Sequence, residues 1–394
     1  MRMTINKEGT SDVEKIIESI LKRNRLLDKS TVKHHYLDIL FNLLSNNESD
    51  EGKIGKCIDL FLSNLHKSSG VIHLYFPIHG LELKDIDEIK MGPVNLISYT
   101  TMMARTNEKI YIYFDSIKNA KFWERTKSKM EDEILPFFVN RVCAEVETRG
   151  DFFTSIKLAE NYAKSIIDVL RIYLPIIYEL CDVDAIKIGI MDNDDFAMSN
   201  SFSISMNYPY NVGYSKQWRG RRFNYVLSNK NLELMRKNHL NEFLHTIIEG
   251  AASKSEFDKR IFLAAGWIGM GINEDEAQTS NKILKLAVGL ECLLINEKTC
   301  ITEKLAERCA LVQQLDFKER IEIYKKIIYY YDARSRIVHN GLSDIDYREV
   351  RDFQSIVIKT LLSIILLKEK YQWVDFENLK SWIREQKFIT PAGT

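Results

Sequence analysis

The stretch YYYDARSRIVHNGLSDIDYREV, residues 329–350, decides how the C-terminal half of this chain is read. Ahead of it and into it, Ile321, Tyr324, Ile328 and Tyr331 recur at three- and four-residue steps, the spacing of one buried helical face. Asn340-Gly341 predicts a helix stop, because either residue tolerates the left-handed backbone that a C-cap needs. Asp346 followed by Glu349 predicts the capping box of the next helix. One helix therefore ends on Arg334, Arg336 and His339, and another begins shortly after.

Arg334 and His339 are five positions apart, about 140° around an ideal helix, so they diverge if the helix runs on. A helix that ends near His339 lets the imidazole swing back toward the last turn. The helix C-terminus favours protonated His339, whereas two nearby arginines oppose it. Opposed influences of this kind hold an imidazole near the pH range where it exchanges protons. A plainer reading is that arginine and histidine in a last turn satisfy free carbonyls. Spacing alone leaves both open.

Around this stretch, the chain from about residue 240 onward predicts helices and no strand. The segments FDKRIFLAAGWIGMGI, NKILKLAVGLECLLI, TEKLAERCALV, FKERIEIYKKIIYYYDARSRIVH and YREVRDFQSIVIKTLLSIILLKEKY form a run of five with short joins. That is the sequence form of an antiparallel bundle. Before it, residues 11–68 predict helices, opened by a Ser11/Glu14 capping box. GVIHLYFPIHGLEL, GPVNLISYT, EKIYIYFDS and FFVNRVCAEVETRG then predict strands, being short and rich in β-branched and aromatic residues. A long amphipathic helix carries Ile156, Ala159, Ala163, Ile166, Ile167, Leu170 and Leu174 until Pro175 kinks or ends it. AIKIGIMD and SFSISMNY predict a last pair of strands. The fold class is α+β: a mixed α/β region over residues 1–235, then an all-helical region over 236–394, with the boundary inside 221–243.

The composition suits a soluble globular chain, with 45% hydrophobic and 28% charged residues among 394. Lys+Arg and Asp+Glu both total 55, so no bulk positive field is available for coating duplex nucleic acid. A small basic pocket for a single-stranded loop stays open. None of the six cysteines forms a C-x-x-C pair, and buried, reduced thiols are expected. The N-terminus carries no apolar signal segment, and LLSIILL (361–367) is far short of the ~20 residues that span a bilayer. A cytoplasmic protein with no membrane partner is the expectation.

LAVGLECLL, ITEKLAERCALV and YYDARSRIVHNG, in that order, resemble the HEPN domain of the ApeA-like type, from about Phe257 to Leu367. The family often has His-Gly directly; here Asn340 intervenes, which leaves the Arg–His spacing intact. The resemblance implies a HEPN helical bundle acting as a metal-independent RNA endonuclease, with no cofactor. It implies a homodimer that joins two Arg-x4-6-His motifs in one cleft, with Arg334 and His339 as the catalytic pair. RNA carries its own nucleophile, the 2′-hydroxyl. Histidine can move the protons and a guanidinium can hold the developing phosphoryl charge.

Around that pair, Arg336 is either a phosphate contact or a solvated surface residue. Glu291 and Arg308 match the family's charged positions on apolar helices. A buried Glu291–Arg308 pair bracing the bundle is the first expectation, since a lone buried charge is costly. A role for these charges in orienting the catalytic arginine is the alternative. YSKQWRGRRF (214–223) is the densest basic-aromatic cluster. There Lys216, Arg219, Arg221 and Arg222 could grip phosphates while Trp218 or Tyr214 stacks on an unpaired base. A plain surface loop or an interdomain contact is equally open. His73 and His79 have no acidic or cysteine partners at ligand spacing, and there is no Walker A motif.

ApeA-like proteins with this arrangement are associated with defence against phage through cleavage of host or viral RNA, transfer RNA among the expected substrates. A phage-derived trigger or inhibitor acting through the N-terminal region belongs to the same expectation. The rivals are a non-catalytic HEPN module that binds RNA or a partner nucleotidyltransferase in a toxin–antitoxin pair, and a bundle that only dimerises.

Overall fold

The computed structural model describes residues 70–114, 138–150, 152–178, 186–190, 202–203, 224–252, 255–274, 278–341 and 345–388, with Asp132 and Pro136. The helices expected over 11–68, with the Ser11/Glu14 capping box, lie outside the described residues.

In β1 (Gly70–His79), Ile72, Leu74, Phe76 and Ile78 alternate with residues of the opposite face, and all four are buried. Gly80 has φ +65°, and a Cβ there would meet the Lys187 carbonyl oxygen at 1.7 Å. Glycine is what lets the chain turn at this point into β2 (Leu81–Leu83). There follow β3 (Glu88–Met91), β4 (Val94–Ile97), α1 (Tyr99–Phe114), β5 (Val142–Gly150) and α2 (Phe152–Ile177). Three short strands complete the set: β6 (Gly189–Ile190), β7 (Phe202–Ser203) and β8 (Tyr225–Leu227). The main sheet has the order β3-β4-β5-β1-β6, with β7 also on β1, and all its pairings are antiparallel. Strands β2 and β8 form a separate parallel pair.

Most strand expectations hold, with one correction. EKIYIYFDS falls largely within α1 rather than forming a strand. Ser98 starts that helix: its hydroxyl accepts from the Thr101 amide at 3.2 Å and its carbonyl from the Met102 amide at 2.9 Å. A short apolar run fits either period, and here propagation from a capped start prevails. Pro175 does not stop α2 at once, since the helix continues to Ile177.

The sheet's polar face carries a buried brace. Glu145 accepts from Tyr75 at 2.9 Å and Asn95 at 3.3 Å, lies 3.7 Å from His73, and pairs with Arg105. Burial alone would raise this carboxyl. Hydrogen bonds from His73, Tyr75 and Asn95, and the Arg105 charge, bring it down to about 2.

On the other face α2 packs against β5, and it also packs against α4 (Leu240–Ala251) and α5 (Glu256–Ile272). One buried apolar cluster therefore runs from Leu74 and Val146 through Leu170 to Ile261 and Leu290. After β8 the described residues hold helices only. These are α3 (Asn229–Lys237), α4, α5, α6 (Thr279–Leu294), α7 (Ile301–Val312), α8 (Phe317–Asn340), α9 (Tyr347–Tyr371) and α10 (Phe376–Phe388). Helices α5 to α9 are the five expected from sequence. Among the described residues no helix is long and apolar enough to cross a membrane. Cys143, Cys292, Cys300 and Cys309 are free; Cys143 and Cys309 are buried, whereas Cys300 is exposed.

Candidate functional site

Helix α8 starts at Asp316, whose carboxylate accepts from the Glu319 amide at 2.9 Å in a capping box. It stops at Gly341, with φ +74° and its amide donating to the Ile337 carbonyl at 2.9 Å. Asp346 then caps α9, accepting from the Arg348 and Glu349 amides at 2.7 and 3.0 Å. Both boundary expectations hold.

The expected buried face of α8 holds at Ile328 and Tyr331 but not at Ile321 and Tyr324. Ile327, Tyr330, Tyr331, Ala333 and Ile337 are buried, whereas Ile321 and Tyr324 are each 38% exposed. The helix is apolar on two faces, so its own periodicity does not say which one meets α7 and α9. The face left uncovered carries Phe317, Ile321 and Tyr324, with His339 in register on the same side.

Helical geometry persists through both Arg334 and His339, since α8 runs to Asn340. The two therefore leave the axis about 140° apart within one chain. His339 and Asn340 are exposed in the last turn. Arg334 is held at the bundle surface, its Nη2 3.3 Å from Glu291 Oε1 on α6. The Tyr331 hydroxyl donates to that same oxygen at 2.9 Å. The Arg334 guanidinium lies 5.4 Å from the centre of the Tyr331 ring, and its Nε is buried without a hydrogen-bond partner. Burial and the Glu291 hydrogen bond push the Tyr331 phenol up to about 12, so it is a donor at neutral pH. Arg336 lies 3.4 Å from Asp332, one turn back.

The expected Glu291–Arg308 pair is replaced by another. Arg308, 6% exposed on α7, makes a fork–fork contact with Glu297 at 2.9 and 2.5 Å and also donates to the Leu294 carbonyl. It closes the end of α6, where carbonyls lack helical partners. The Arg308 hydrogen bonds bring the Glu297 carboxyl down to about 2. Glu291 sits on the α8 side of α6 and is used by Arg334 and Tyr331 instead. Sequence reading missed Glu297, which carries no periodic signal, and took Tyr331 for core packing alone.

Lys216, Trp218, Arg219, Arg221 and Arg222 lie outside the described residues. Among the described residues no group of three or more His, Cys, Asp or Glu is placed to hold a metal ion. No protein family, curated protein or solved structure was found to match the chain.

Proposed function

We propose that this chain is a metal-independent HEPN-type RNA endonuclease that uses Arg334 and His339. The observation that carries the reading is a guanidinium braced by Glu291 and Tyr331 on the helix whose last turn exposes His339. A charge-assisted fork held in place suits a phosphoryl oxygen. An exposed imidazole suits proton transfer. The 2′-hydroxyl attacks phosphorus and yields its proton, and the 5′-oxygen leaves and takes one up. A 2′,3′-cyclic phosphate and a 5′-hydroxyl remain.

The divergence of Arg334 from His339 favours a homodimer, in which a second copy completes the cleft. The uncovered stripe of Phe317, Ile321 and Tyr324 on the His339 side of α8 supports the same reading. Transfer RNA is the proposed substrate, because an anticodon loop presents unpaired bases. Restraint and triggering by the N-terminal region, in a phage-defence role, belong to the same proposal. The test is end chemistry: RNA incubated with the protein in EDTA should acquire cyclic-phosphate and 5′-hydroxyl ends. RNA bound but left intact would favour the non-catalytic module.

A further inference from the structure

Glu291 Oε1 serves two partners. It accepts the Tyr331 hydroxyl at 2.9 Å and lies 3.3 Å from Arg334 Nη2. Tyr331 and Arg334 are three positions apart on one helix, so the cation also lies over the ring of the residue that shares its counter-ion. Neither charged group is in open solvent: the side chains of Arg334 and Glu291 are 27% and 26% exposed.

Arg334, whose Nη2 rests on Glu291, must loosen that contact before this nitrogen can turn to a phosphate. Loosening strands a half-buried carboxylate, and an uncompensated charge there is costly. Tyr331 removes part of that penalty. Its hydroxyl already donates to the oxygen that Arg334 would vacate, and it needs no rearrangement to stay. The buried, unpartnered Arg334 Nε is a further donor that the resting contact does not use.

We propose that Glu291 and Tyr331 form an exchange latch on Arg334. The carboxylate holds the guanidinium at rest, and the Tyr331 hydroxyl keeps that carboxylate satisfied when an RNA phosphate takes the guanidinium over. Tyr331 is thus a positioning residue, acting through Glu291. The inference rests on the reading of Arg334 as the phosphate-binding residue. It adds that the strength of RNA binding is set by competition between one carboxylate and one phosphate.

Two readouts on the full chain test it, one of them independent of RNA. Phenylglyoxal modification of Arg334, followed by peptide mass spectrometry, reports how tightly the guanidinium is held. Glu291→Gln should speed it by about threefold, the value of a partly exposed ion pair. Tyr331→Phe should slow it, since the whole charge of Oε1 then falls on Arg334. The second readout is binding of a uniformly 2′-O-methylated single-stranded RNA, which lacks the nucleophile and cannot be cleaved. Glu291→Gln should tighten it, because the phosphate then has no carboxylate to displace from Arg334. Tyr331→Phe should weaken it, and Arg334→Gln should cancel both effects.

A merely structural role for Tyr331 predicts changes in melting temperature without opposite shifts in reactivity. The latch is overturned if Glu291→Gln leaves Arg334 reactivity unchanged or lowers it in folded protein. It is overturned equally if Tyr331→Phe acts in the same direction as Glu291→Gln. Opposite reactivity shifts with no RNA binding, wild type included, would leave Glu291 and Tyr331 as a brace on Arg334 and overturn both the exchange and the ribonuclease reading.

Discussion

Arg334 and Arg308 do not share a carboxylate: Glu291 lies 3.3 Å from the first, and Glu297 grips the second at 2.5 and 2.9 Å. The two ends of these contacts serve different purposes. Arg308 closes α6 from inside the bundle. Arg334 stands at the surface with a donor to spare, five residues before the exposed His339 and about 140° around the helix from it.

The two networks should therefore separate energetically. Arg308→Ala strips the donors from Glu297 and from the Leu294 carbonyl at a buried site, and should cost about 3 kcal/mol. In double-mutant cycles by chemical denaturation, Arg308→Ala and Glu297→Gln should couple strongly. Arg308→Ala and Glu291→Gln should add within about 0.5 kcal/mol. Strong coupling in the second cycle would restore the Glu291–Arg308 brace.

Acid stability follows from Glu145 and Glu297, both brought down to about 2 from the ordinary 4.5. A carboxyl whose folded pKa lies below its unfolded one stabilises the fold above the unfolded value. That contribution is lost as pH falls from about 4.5 toward 2. Thermal melts across this window should drop steeply for wild type. Glu145→Gln and Glu297→Gln should each start less stable near neutral pH and show a shallower decline. Parallel wild-type and variant curves would refute the assignment.

Gly341 isolates backbone strain. Its φ is +74°, and a Cβ added there meets nothing within 4 Å. Gly341→Ala should thus cost roughly 1 kcal/mol through conformation alone, and Gly341→Asn less. A much larger loss for alanine would mean that the α8–α9 turn makes contacts beyond the ones described.

The uncovered face of α8 makes a prediction about assembly. Ile321→Lys and Tyr324→Asp place charge where both residues are 38% exposed, so monomer stability should change by no more than about 0.5 kcal/mol. If a second copy covers this face, sedimentation should show dissociation of the variants at concentrations where wild type is dimeric. A wild type that remains monomeric would leave the composite cleft without support.

Much of this was legible before any coordinates. Asn340-Gly341 and the Asp346/Glu349 box mark boundaries through local backbone chemistry, and α8 and α9 obey them. The β-branched and aromatic content of GVIHLYFPIHGLEL likewise marks β1 as a strand. The failures share a physical cause. EKIYIYFDS and the front half of α8 each carry apolar residues compatible with two arrangements. Only a neighbouring cap, or the helix packed alongside, selects between them. The partners of Glu291 and Arg308 were beyond periodicity for the same reason, because both carboxylates lie near the end of α6. Six residues' difference along the chain decides which arginine each one meets.

The most direct measurement compares wild type with His339→Ala and Arg334→Ala on a total transfer-RNA pool in EDTA, with cleavage ends mapped. His339 is exposed and Arg334 only partly buried, so both variants should stay folded. Cleavage by wild type alone, leaving 2′,3′-cyclic phosphate ends, is the expected result. Equal cleavage by wild type and His339→Ala would contradict the assignment of His339, and with it the proposed chemistry.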